Sequence, residues 1–189
     1  MQMYNFKKEV NINTRVGPSF SLSNKFMRLI WNVTYLIFFR YSPRPFHAWR
    51  RAILRIFGAK IGKNTNVYSS VKIWAPWNLV IGTECGIGDE VVLYSMDLIQ
   101  IGNKTVISQG SFICCGTHNY DDPGFPLIRK PIIIGSYVWI AVRVFVHPGI
   151  TIEDGCIVGA ASVVTKNLSK WTVYAGFPCK PIKKRRVLN

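Results

Sequence analysis

Aliphatic residues return at every sixth position along the second half of the chain: Ile134, Ile140, Val146, Ile152, Val158 and Val164. Ile, Leu and Val make up 50 of the 189 residues, so six such hits in succession arise by chance in roughly three of ten thousand trials. The residue two places before each hit is apolar or small: Ile132, Val138, Val144, Ile150, Cys156 and Ser162. Side chains two apart on an extended chain share a face, so each hexad predicts a short strand with an inward pair, followed by a tight corner. Gly135, Gly149, Gly155 and Gly159 fall near those corners, where positive φ or close backbone approach suits glycine. Rungs of this kind stack into a parallel β-helix, because no rung buries its inward face alone.

Upstream the period runs through Ile61, Val67, Ile73, Leu79 or Ile81, Ile87, Leu93, Ile101, Ile107 and Ile113. Two spacings, Ile73 to Ile81 and Leu93 to Ile101, are eight residues rather than six; such insertions map to one face of a solenoid, often the binding face. The second, around Tyr94 and Asp97, is the candidate acceptor loop. A longer break, Thr117 to Pro131, is polar, with Asn119, Asp121, Asp122 and three further prolines and glycines inside it; it is too polar for another rung, and a long excursion from a strict solenoid is usually functional. After Lys166 the repeat ends, a turn follows over Asn167 to Trp171, and the tail is rich in Lys and Arg.

Ahead of the repeat, residues 1–20 predict a polar arm without periodicity. A helix is expected over residues 23–40, capped by Ser23 or Asn24 and ended by Pro43 and Pro45. A second, Phe46 to Phe57, places Trp49, Ile53 and Ile56 or Phe57 on one face and Arg50, Arg51 and Arg55 on the other, with Gly58 as its stop. The chain therefore divides into an arm and helical cap (1–58), a β-helix (59–169) and a short basic tail (170–189).

The formal charge of +15, from 24 Lys and Arg against 9 Asp and Glu, predicts attraction to polyanions: nucleotide phosphates, an anionic membrane surface or nucleic acid. The basic residues are spread without a nucleic-acid-binding motif, which disfavours the last. Five cysteines, Cys85, Cys114, Cys115, Cys156 and Cys179, form an odd set without Cys-x-x-Cys spacing, predicting reduced thiols and a cytoplasmic setting. The polar opening, Met1 to Val10, predicts no secretory signal. The apolar run Phe26 to Phe39 is 14 residues long and carries Arg28 and Asn32, short for a bilayer span. Two roles for the helical pair follow: a cap on the open end of the stack, and a basic, aromatic surface that rests on the inner membrane leaflet through residues 1–58.

Three runs carry a family likeness: Val138-Trp139-Ile140-Ala141, the stretch Ile157 to Lys166, and the stretch Tyr174 to Lys183. They resemble the hexapeptide-repeat O-acetyltransferases, most of all the colanic-acid-biosynthesis branch near the maltose, galactoside and nodulation enzymes, over about Phe46 to Arg185. The resemblance implies a left-handed β-helix, three hexads per coil, assembled as a homotrimer, and transfer of an acetyl group from acetyl-CoA to a sugar hydroxyl in exopolysaccharide or surface-glycan assembly, without a metal. Handedness comes from the resemblance alone, since the general rule for parallel crossovers favours the other hand.

That chemistry needs a base, and imidazole is best matched to neutral pH. Of His47, His118 and His147, His118 opens the insert in Gly116-Thr117-His118-Asn119-Tyr120, which matches the family's general-base motif; His47 and His147 read as structural or exposed. Asp97, Asp121, Asp122 or a backbone carbonyl are the candidates to orient its ring. The resemblance places Trp139, Ala141 and Ala160 along the pantetheine arm, Thr165 and Lys166 toward the nucleotide, and Lys180 and Lys183, with Arg185, at the phosphates; the candidate acceptor-side residues are Tyr94 and Asp97 of the second short insertion and Asn119 of the long insert. The family usually has Gly-Ser or Gly-Ala where this chain has Ala141-Val142. Three alternatives stand beside this reading: a Cys114 or Cys115 acyl-enzyme with His118, a metal-dependent hydratase resembling the gamma carbonic anhydrases, and a non-catalytic basic solenoid that binds membranes or polyanions.

Overall fold

The computed structural model describes residues 20–186, so the arm expected over 1–20 lies outside them but for Phe20. Ser21 accepts a hydrogen bond from the Asn24 N–H at 3.2 Å and caps α1, Leu22–Thr34; the start is two residues earlier than expected because this hydroxyl, not that of Ser23, reaches the free amide. The chain continues into a π-helical turn, Tyr35–Phe39. Then α2, His47–Ile56, packs on the first coil, and Gly58 ends it at φ +86°.

The face of α2 that meets the coil is not the one expected. Arg50, Ile53 and Leu54 are buried, whereas Trp49 and Ile56 are 47% and 81% exposed. Arg50 can turn inward because backbone carbonyls meet its guanidinium: Nε donates to Val67 at 2.6 Å, Nη1 to Pro43 at 2.9 Å and Nη2 to Arg44 at 2.6 Å.

The repeat then winds three strands per coil. The first coil is β1 (Lys60–Ile61), β2 (Asn66–Val67) and β3 (Lys72–Ile73); the second β4 (Leu79–Ile81), β5 (Gly86–Ile87) and β6 (Val92–Tyr94); the third β7 (Ile99–Ile101), β8 (Val106–Ile107) and β9 (Phe112–Cys114). After a hairpin, β10 (Gly116–His118) and β11 (Leu127–Arg129), the fourth coil is β12 (Ile132–Ile134), β13 (Trp139–Ile140) and β14 (Phe145–Val146), and the fifth β15 (Thr151–Ile152), β16 (Ile157–Val158) and β17 (Val163–Val164). Each strand pairs in parallel with its counterpart one coil away, so three sheets wall a prism; we name them the first, second and third faces in coil order. The stack is a left-handed parallel β-helix. Every predicted six-period residue from Ile61 to Val164 is buried.

The tail expected to be merely basic contains two strands. β18 (Thr172–Ala175) continues the second face as a sixth-coil strand parallel to β16, and β19 (Lys180–Lys184) runs antiparallel along it. The corners use glycine in two ways. Gly149 and Gly155 take positive φ, whereas Gly135 is there for closeness: a Cβ on it would lie 2.7 Å from the Asp154 nitrogen in the next coil. Other corners place Asn64, Lys104, Tyr137, Arg143 and Ala161 in the left-handed region, which the stack imposes on them.

Candidate active site

All three departures from the six-residue period open at the same edge, between the third and first faces. The first is the short 3-10 turn Pro76–Asn78, and the second is the loop after β6. The Ser95 hydroxyl ties them, accepting from the Ala75 N–H at 3.0 Å and donating to the Ala75 carbonyl at 2.9 Å, while the Asn78 amide donates to the Ser95 carbonyl at 2.9 Å. The third departure is the antiparallel ribbon of β10 and β11, in which His118 pairs with Leu127. Its root fits closely on the loop below, since a Cβ on Gly116 would sit 2.6 Å from the Met96 sulfur.

The ribbon holds His118 through its turn. Asp122 accepts from the Gly124 N–H through its side chain at 2.8 Å and from the Phe125 N–H through its carbonyl at 2.9 Å. Phe125 turns over at φ +48°, and its carbonyl lies 2.7 Å from His118 Nδ1. A carbonyl only accepts, so Nδ1 carries a proton, and in the neutral form of this exposed imidazole Nε2 keeps a free lone pair. Of the four orienting groups considered, the backbone carbonyl is the one in place; Asp97 instead accepts from the Leu98 N–H at 2.7 Å. Asp97 borders a polar cavity of about 480 Å³ together with Asn24, Trp77, Asn78, Leu127 and Arg129. Tyr94 packs edge-on to Trp74 and tilted against Phe112 on the third face, and Asn119 serves the turn by accepting from the Asp121 N–H.

The residues expected to hold the donor divide between two places. Trp139 stands outward on the second face, 48% exposed, with its indole N–H donating to Ser108 at 3.0 Å. Register puts it in one column with Ile157, Val173 and Lys183. Strands lie about 4.8 Å apart, so Trp139 and Lys183 are separated by roughly 14 Å along that column. At its upper end Ile157, Val173, Lys183, Lys184, Arg185 and Arg186 line a groove of about 640 Å³. Lys180 opposes Ala175 at the rim.

Arg185 is already engaged, donating to Tyr137 at 2.6 Å and Gly155 at 3.0 Å. Lys184 and Arg186 were not singled out from sequence, because a run of five basic residues between 180 and 186 has no face until β19 is paired. Ala160 is exposed at the edge between second and third faces, whereas Ala141 is buried there with its N–H bonded to Val158 and its carbonyl to Ser111. Of the two, Ala160 is the one that faces solvent. Thr165 and Lys166 sit at the other edge, on the side of the His118 ribbon.

Burial raises the pKa of the Cys114 thiol and pushes that of Cys115 up to about 12, and both side chains are buried, which disfavours the thiolate that an acyl-enzyme needs. His47, the first residue of α2, has its Nδ1 3.0 Å from the Val67 carbonyl, and His147 packs edge-on to Phe145. Among the described residues no three His, Cys, Asp or Glu side chains converge.

Comparison with protein-family models gives no match. The chain is 42% identical over 170 residues to the colanic acid biosynthesis acetyltransferase WcaF of Escherichia coli, covering 90% of this chain and 93% of that protein. Its fold superposes on the crystal structure of a maltose O-acetyltransferase from Clostridium difficile with a TM-score of 0.81, at 27% identity, over 88% of this chain and 90% of the other. A hexapeptide-repeat acetyltransferase from Vibrio cholerae, solved with acetyl-CoA, shares the fold with a TM-score of 0.82 at 24% identity, over 90% and 93% of the two chains.

Proposed function

This chain belongs to the hexapeptide-repeat acetyltransferase family, and from that premise we propose that it moves the acetyl group of acetyl-CoA onto a sugar hydroxyl, in the cytoplasm, for exopolysaccharide or surface-glycan assembly. His118 is the general base. Its Nε2 takes the hydroxyl proton as the oxygen attacks the thioester carbonyl; the tetrahedral oxyanion collapses, the C–S bond breaks, and the imidazolium returns the proton to the departing CoA sulfur. The Phe125 carbonyl keeps the ring in the productive tautomer and steadies its charged form.

The reading is carried by the 2.7 Å contact between His118 Nδ1 and Phe125, which leaves the other nitrogen free in an otherwise solvent-facing ribbon. It is supported by the column from Trp139 to the Lys183 groove, long enough for an extended pantetheine arm with cations at its phosphate end. Because the ribbon and the column occupy different sides of one prism, the reading requires a homotrimer in which the ribbon of one chain faces the column of the next. Tyr94 at the end of β6 and Asp97 of the loop after it, with Asn119 of the ribbon's turn, are assigned to the acceptor.

His118→Ala removes an exposed side chain and leaves the fold intact, and turnover of acetyl-CoA with a sugar acceptor is expected to fall by roughly two to four orders of magnitude. Turnover near that of the unmodified enzyme would take His118 out of the mechanism.

A further inference from the structure

The first helix wears its amphipathicity inside out. Asn24, Arg28, Trp31 and Tyr35, spaced four, three and four apart, form the strip that lies against the protein: Arg28 rests 4.0 Å over the Trp74 ring, and the Trp31 indole donates to the Ile73 carbonyl at 2.7 Å. The opposite strip, Phe26, Leu29, Ile30, Val33 and Ile37, is 63%, 60%, 40%, 50% and 61% exposed. It continues onto α2, because the Trp49 indole N–H donates to the Phe38 carbonyl at 2.9 Å and both rings remain about half exposed. Water-facing helices ordinarily show the reverse pattern, and an apolar surface this continuous marks an interface.

The charge beside it identifies what the interface meets. From residue 20 to residue 83 there are ten Lys and Arg and no Asp or Glu, although the chain holds nine acids in all; of the ten, Arg28 and Arg50 face the protein. Lys25 flanks the strip, Arg40 closes the helical segment, and Lys60 and Lys63 follow on the first coil, all exposed. No helix among the described residues is long and apolar enough to cross a membrane. An apolar strip with cationic flanks and too short to span lies in the plane of a lipid surface, its side chains among the acyl chains and its cations at anionic headgroups. Nucleic acid would satisfy the cations and leave the strip in water.

We propose that the outer face of α1, extended by Phe38 and Trp49, is a peripheral membrane-binding surface selective for anionic lipid. This goes beyond the transferase reading and does not depend on it. The test is co-flotation of the full chain with phosphatidylcholine–phosphatidylglycerol vesicles and with pure phosphatidylcholine vesicles. The unmodified protein is expected to float with the former, less at high salt, and far less with the latter.

A triple variant, Leu29→Glu, Val33→Glu and Ile37→Glu, is expected to lose about tenfold or more of that binding, with its circular dichroism and sedimentation mass unchanged. The pair Lys25→Glu and Arg40→Glu keeps the strip and is expected to lose the preference for anionic over neutral vesicles. The proposal is overturned if the unmodified chain stays at the bottom with anionic vesicles, or if the triple variant floats equally well. It is overturned also if the triple variant has a lower sedimentation mass without lipid, which would assign the strip to contact between copies of this chain.

Discussion

A guanidinium sealed under α2 with no carboxylate against it is costly unless every N–H finds an acceptor. Arg50 meets that demand with three carbonyls, the Ser42 hydroxyl and, 3.0 Å from Nη2, the His47 Nδ1; burial lowers its pKa from the ordinary arginine value, while Asp89 and Tyr68 oppose the shift. It thereby stitches the loop before α2 and the first coil to one side chain. Arg50→Met removes all of these bonds at a buried site, and denaturant unfolding is expected to show a loss of about 3 kcal/mol; a change below about 0.5 kcal/mol, the scale of an ordinary surface substitution, would contradict the role. Arg50→Lys does not rescue it, since an ammonium cannot span the fork. The thiols make a complementary case. With Cys115 pushed up to about 12, roughly one thiol in ten thousand is ionised at pH 8, so iodoacetamide is expected to leave Cys115 unmodified in the folded protein; rapid alkylation, followed by mass spectrometry, would show that the third-face core opens.

At the scale of elements, the rungs were legible because one face of every strand is buried and the period follows from that alone. The coil-to-coil fit is as strict. Gly102 carries no side chain because a Cβ would stand 2.5 Å from the Ser136 nitrogen and 2.6 Å from the Gly135 carbonyl carbon. Gly102→Ala is expected to lower stability by about 2 kcal/mol or more, read by thermal unfolding, and a stability equal to the parent would mean the coils sit further apart. The insert was legible as an interruption and as the seat of His118, but not as a ribbon. Its strands are three residues each and half polar, so no alternation announces them. The helices misled in a different way. Periodicity finds an apolar face and assigns it inward, yet here the cap is held by Arg50 and Trp31, and the broader apolar strip is left outside. Likewise, the column that joins Trp139 to Lys183 exists only once β18 and β19 are added to the second face, which no six-residue period predicts. Lys183→Ala is expected to raise the KM for acetyl-CoA by about tenfold with kcat little changed, the signature of lost ground-state binding; an unchanged KM would remove the groove from the donor site.

For the whole molecule, the central claim is that neither edge of the prism suffices alone: the base stands on the ribbon at one edge, and the donor column with Ala160 belongs to the face and edge beyond it. In the proposed closed cyclic assembly each ribbon would meet a neighbour's column. Mixed assembly tests this most directly. Chains carrying His118→Ala and chains carrying Ala160→Trp, which fills the donor edge, are each expected to be inactive; refolded together in equal amounts, they are expected to recover about a quarter of the unmodified activity, because one neighbouring pair in four then joins an intact ribbon to an intact column. Mixtures no more active than the separate variants would place base and donor on the same chain and contradict the account.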